Sequence, residues 1–116
     1  MCESKTLDHT EEELKQIELE KEELHHEIVL LKKKEDEIRY LFQENEAFFK
    51  QMFETWKKGE TRIHLHHTYS EMKSAEKQVI HSLDEERESL TVKKYELDRR
   101  DDAVRHERLK IVRGKG

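Results

Sequence analysis

The sequence has no proline, three glycines, one cysteine and one tryptophan. Without proline, nothing in the chain forbids helices of many turns. Cys2 stands alone, which excludes an internal disulfide and suggests a mobile thiol near the start with no required role. No apolar run approaches the ~18 residues of a membrane span. The opening Met1-Cys2-Glu3-Ser4-Lys5-Thr6-Leu7-Asp8 lacks the basic start and apolar stretch of a secretory signal. These absences predict a chain that starts in the cytoplasm, without membrane insertion. Only 33% of the residues are hydrophobic and 44% are charged, too few apolar groups to fill a globular core. A net charge of −5 offers no general attraction to nucleic acid or an anionic bilayer, so neither is expected as a partner.

What the chain does have is helical periodicity. One heptad row holds Leu7, Leu14, Lys21, Ile28, Glu35, Phe42, Phe49 and Trp56, and the row three residues on holds Thr10, Ile17, Leu24, Leu31, Ile38, Asn45 and Met52. Two rows at this spacing form a coiled-coil seam, predicting a helix over about 7–57. Thr10 and Glu13 fit a capping box, with a start nearer Thr6 as the alternative. Lys21, Glu35 and Asn45 interrupt the seam, as polar residues do where register is set at some cost in stability, with partial exposure as the alternative.

A second ladder predicts a helix over about 61–112. Its rows are Arg62, Tyr69, Glu76, Leu83, Leu90, Leu97, Val104, Ile111 and Leu65, Met72, Val79, Glu86, Lys93, Arg100, Glu107. Both are largely apolar up to Val79 and Ile80; beyond that only the first survives. Such a narrow stripe suits a shared bundle better than independent stability. Arg113-Gly114-Lys115-Gly116 reads as a frayed end.

Between the ladders stands Trp56-Lys57-Lys58-Gly59. A glycine can take the left-handed conformation that closes a helix, and lysines in a last turn suit its negative end. The fold class expected is all-α, a single long antiparallel helical hairpin bent near residues 57–61, in which facing residue numbers sum to about 118. That register sets Phe49 by Tyr69, Ile28 by Leu90, Leu14 by Val104 and Leu7 by Ile111. A continuous helix through Gly59 is the alternative, since one glycine costs a helix only about 1 kcal/mol.

Aromatic residues crowd the part nearest the turn. Phe48 and Phe53 lie off both rows, which widens the apolar surface beyond what one partner helix needs. The residues expected to meet a partner are Tyr40, Phe42, Phe48, Phe49, Met52, Phe53, Trp56, Leu65, Tyr69 and Met72, with Trp56 and Gly59 marking the turn. A thicker tip with some exposed rings is the plainer reading.

Nothing in the sequence points to catalysis, a cofactor or a metal. There is no phosphate loop, no nucleophile with a placed base, and a hairpin offers no enclosed cleft. His64, His66 and His67 have helical spacing relative to Glu60 and Glu71 but lack the converging third and fourth ligands that zinc requires. With eight histidines, protonation below about pH 6.5 reverses the sign of the net charge and bears on assembly in acid.

The aromatic-rich Leu41-Phe42-Gln43-Glu44-Asn45-Glu46-Ala47-Phe48-Phe49, the central tryptophan and glycine, and the charged second helix from Leu90 to Lys110 resemble the WXG-type small secretion proteins. Within that class the chain looks closer to the small α-helical partner proteins encoded beside LXG-type toxins of Gram-positive type VII secretion systems. The resemblance covers roughly residues 40–110, with the Trp-to-Gly bend one residue longer. It implies an adaptor or targeting chaperone that binds the long helical N-terminal domain of an LXG toxin, with a second small helical protein as a further partner. It also implies work in the cytoplasm of the producing bacterium, with co-secretion alongside the toxin left open. One departure concerns export. The aromatic-x-x-x-acidic signal of many such substrates is missing from the tail, because Tyr95 is followed four residues later by Arg99; Tyr40 and Glu44 have the spacing, but within the first helix. The competing function is a self-associating structural coiled coil, or a prefoldin-like holding chaperone, and either makes the chain a homo-oligomer when alone.

Overall fold

In the computed structural model, which describes residues 6–115, two helices account for nearly everything: α1 spans Leu7–Thr55 and α2 spans Glu60–Lys115. The chain is an all-α helical hairpin, and the four residues Trp56 to Gly59 join its arms. Cys2 lies outside the described residues.

The first helix takes the earlier of its two expected starts, and the glycine of the turn takes a different role from the one expected. Thr6, not Thr10, is the N-cap of α1: its Oγ1 accepts the His9 backbone N–H at 3.1 Å, satisfying an otherwise orphan donor. Thr10 is fully buried one turn further in, and its hydroxyl donates to the Leu7 carbonyl at 2.8 Å. At the other end α1 stops at Thr55, two residues short of the expected 57, so Lys57 and Lys58 lie outside it and its last turn holds no basic residue. Gly59 has φ of 87°, but it serves α2 rather than closing α1, for its carbonyl accepts the Ile63 N–H at 3.2 Å as an N-cap does. The expected frayed end is helical to Lys115.

The helices pair as two compact units. In the end unit, residues up to Val29 meet residues from Glu88 onward. Thr10, Ile17 and Leu24 are buried on α1, and Leu90, Leu97 and Val104 on α2. Each set repeats every seven residues, the knob spacing of a coiled coil. Ion pairs mark the register: Lys21 Nζ to Asp101 at 2.7 Å and Asp98 at 3.5 Å, Arg100 to Glu20 at 3.1 Å, and Arg108 to Glu11 at 3.3 Å. Each falls within about one turn of its predicted facing position. Lys21 interrupts the apolar row by reaching over to its acidic partners. Leu7 and Leu14 are only half-buried and Ile28 is 37% exposed, so the α1 row containing them forms the edge of this seam, and Ile111, at the end of the buried α2 row, is half-buried.

The tip unit runs from Leu30 to Arg87. Here the seam changes phase. On α1 the buried positions are Leu31 and Phe49, with half-buried Ile38 and Phe42 four apart between them; on α2, Leu65 and Glu76 lie eleven apart before Leu83. An extra four residues in a heptad pattern locally unwinds the supercoil. The row carrying Leu31 therefore hands over to the row carrying Phe49, and Asn45 is left exposed. Phe49 stands 5.4 Å from Tyr69 between ring centres, as the predicted register requires. Arg87 meets Glu35 at 2.6 Å, so that seam carboxylate is also held across the hairpin.

Candidate functional site

The sequence gathers its aromatic residues near the turn, and the helices give them very different environments. Phe49 is buried at the centre, in edge contact with Phe48 at 5.5 Å and Tyr69 at 5.4 Å and tilted against Phe53 at 6.4 Å. Leu65 is buried as well. These two residues, expected at a partner surface, belong to the hairpin's own seam, because the change of phase turns them inward. Phe42, Met52, Phe53, Tyr69 and Met72 are half-buried. Tyr40, Phe48 and Trp56 are exposed, at 60%, 54% and 45%. Ile63, on neither row, is more exposed still at 71% and went unnoticed for that reason.

Polar groups stiffen the α2 side of the tip. The Tyr69 hydroxyl donates to Glu46 Oε1, and Lys73 Nζ reaches Glu46 Oε2 at 2.8 Å while lying 5.6 Å from the Tyr69 ring centre. The hydrogen bond from Lys73, then that from Tyr69, holds the Glu46 carboxyl below the usual carboxylate range. Accepting that bond makes Glu46 hold the Tyr69 proton, pushing its pKa up. Lys73 also reaches Glu76 Oε1 at 3.4 Å, whereas the buried Glu76 Oε2 has no partner. A carboxylate oxygen without a donor in the seam is a local source of instability.

At the turn, Arg62 donates to the Phe53 carbonyl at 2.7 Å and to the Trp56 carbonyl at 3.4 Å, and its guanidinium stacks 4.9 Å from the Phe53 ring centre. An arginine in the first turn of α2 thus caps α1. On the same side lies an open cavity of about 740 Å³, to which Lys50, Phe53, Arg62, His66 and Tyr69 contribute.

The three histidines after the turn do not converge. His66 lies against Phe53 with ring centres 4.7 Å apart, His67 Nε2 is 2.8 Å from Glu71, and the His64 carbonyl accepts the Thr68 hydroxyl at 3.0 Å. Among the described residues no group of three or more His, Cys, Asp or Glu side chains is placed to hold a metal ion. Nor, among them, is any helix long and apolar enough to cross a membrane. Tyr40 donates to Glu44 one turn on, which raises the tyrosine pKa, so this aromatic-acid pair forms a local link on α1.

The family model described as "Protein of unknown function (DUF3958)" matches residues 5–111. The chain belongs to the DUF3958 family. The match takes in both arms and the turn of this DUF3958 hairpin. No curated protein and no solved structure matches it.

Proposed function

We propose that the chain is a non-enzymatic adaptor, a targeting chaperone that binds the helical N-terminal domain of an LXG-type toxin and helps its export by a type VII secretion system. The observation that carries this reading is the division of labour among the tip aromatics. Phe49 and Tyr69 pack against each other within the hairpin, yet Phe48, Trp56 and Ile63 remain exposed. Large apolar side chains left exposed near the turn lose free energy by remaining in water and gain it when a third helix covers them. The single apolar stripe of α2 beyond Leu83 gives the same support, being narrow for a helix of this length. Work of this kind takes place in the cytoplasm of the producing cell and needs no cofactor.

The test is co-purification with the toxin domain encoded nearby, comparing wild type with Phe48→Glu and Trp56→Glu. Capture is expected to fall at least tenfold for each variant while helix content by circular dichroism is unchanged. Capture at the wild-type level by both variants overturns the reading.

A further inference from the structure

The outer face of α1 carries a second stripe that the hairpin does not use. Leu30, Lys33, Lys34, Glu37 and Leu41 are all exposed, with Leu30 at 51% and Leu41 at 54%, and their spacing of three, four and seven residues keeps them on one face. That face lies roughly a third of a turn round from the seam of Leu31, Ile38 and Phe42. We propose that it is an antiparallel, isologous contact between two copies of the chain, with Leu30 on Leu41 and Lys34 on Glu37 of the second copy, and the reverse.

The charges identify the occupant. Along the stripe the order is apolar, basic, acidic, apolar, with Leu30 and Leu41 flanking the charged block Lys32-Lys33-Lys34-Glu35-Asp36-Glu37. A second copy running the other way sets Leu30 on Leu41 and Lys34 on Glu37, and a two-fold axis makes both halves equivalent. A parallel copy sets ammonium on ammonium and carboxylate on carboxylate, so the same charges select the direction. The intramolecular demands on the block leave these groups available. Glu35 is taken by Arg87 at 2.6 Å and points into the hairpin, whereas Lys34 has only a long, exposed approach to Glu86 at 3.8 Å. Tyr40, with Asp36, Glu37 and Leu41, lines a shallow cavity of about 460 Å³, an apolar seat for Leu30 of the second copy. The contact is made by a short stretch of one helix and includes exposed ion pairs, so the association is weak and weakens further with salt. Phe48, seven residues beyond Leu41, continues this face, whereas Trp56 lies past the end of α1, so Trp56→Glu is the variant that separates this association from capture of a toxin domain.

The experiment is sedimentation equilibrium on the full chain from about 5 to 500 µM, with Lys34→Glu, Glu37→Lys and their equimolar mixture. The wild type is expected to dimerise with concentration, each reversal to weaken dimerisation at least tenfold, and the mixture to recover it because each reversed charge then meets its opposite. Leu41→Glu is expected to be monomeric with unchanged helix content. A wild type that stays monomeric throughout, reversals that dimerise as the wild type does, or a mixture no tighter than either variant alone overturns the proposal.

Discussion

The guanidinium of Arg62, in the first turn of α2, donates a 2.7 Å hydrogen bond to the carbonyl of Phe53 near the end of α1 and lies 4.9 Å from the centre of the Phe53 ring. The last carbonyls of a helix have no partner within it, and here an arginine nine residues on supplies one. Arg62→Ala is expected to cost about 1 kcal/mol and lower the melting temperature by a few degrees. Arg62→Lys should fall between, since an ammonium reaches one carbonyl without the planar stack. Thermal melts followed by circular dichroism decide it; an alanine variant that melts with the wild type removes the cross-turn bond from the account.

Gly59 holds φ of 87° with nothing within 4 Å of where a Cβ would stand. The space is open, so only the backbone conformation resists substitution. Gly59→Ala is expected to lose about 1 kcal/mol and Gly59→Asn less, because asparagine tolerates the left-handed region better. Equal losses for the two would mean that the turn has changed shape.

Glu76 is buried in the seam with Oε2 unpartnered. Removing the carboxylate in favour of an apolar side chain relieves that cost, so Glu76→Leu should raise stability by about 1–2 kcal/mol in a urea titration at neutral pH. A destabilised variant would show that the acid contributes through its pairing with Lys73.

Acid should loosen the end unit through Asp101. The hydrogen bond from Lys21, ahead of that from Arg105, holds the Asp101 carboxyl below its ordinary pKa. A carboxyl lowered on folding stabilises the protein above the unfolded value near 4 and loses that contribution as pH falls through the folded value. Asp101→Asn is therefore expected to be about 1 kcal/mol less stable at pH 7, with the gap narrowing as pH falls below about 4. Melting temperatures across that range test it, and parallel curves at every pH would contradict it.

Phe48 and Phe49 are neighbours with opposite fates, one 54% exposed and the other 8%. Phe49→Ala is expected to cost about 3 kcal/mol and Phe48→Ala about 1 kcal/mol or less, the latter from its edge contact with Phe49. Chemical denaturation of the two variants separates a seam residue from a surface one.

Much of this was legible from spacing alone. The heptad rows placed both helices to within a few residues, the single internal glycine placed the break, and matching apolar positions about it gave the register in which Phe49 meets Tyr69. Lys21 and Glu35 were readable as register marks because a charge in an apolar row must find a partner, and each found one on α2. Spacing alone left the α1 cap open between Thr6 and Thr10. Thr10 has a capping pattern as good as any, but Thr6 precedes it and the seam buries Thr10. Arg62 sat in a seam row, and no local pattern shows that it turns back to α1.

By itself, then, the sequence determined that this protein is two helices broken at one place, because proline is absent, apolar residues recur at helical intervals and glycine stands once between the ladders. Which row faces inward, and where, was decided only by tertiary structure. Adjacent heptad rows differ by a modest rotation about the helix axis, and a helix of 3.6 residues per turn drifts against a seven-residue repeat. Propensity cannot choose between them; the neighbouring helix can. At the tip it chose Phe49 and Leu65 for burial and left Phe48, Trp56 and Ile63 outside. On the outer side of α1 it left Leu30 and Leu41 outside as well, for they lie beyond the reach of a single partner helix.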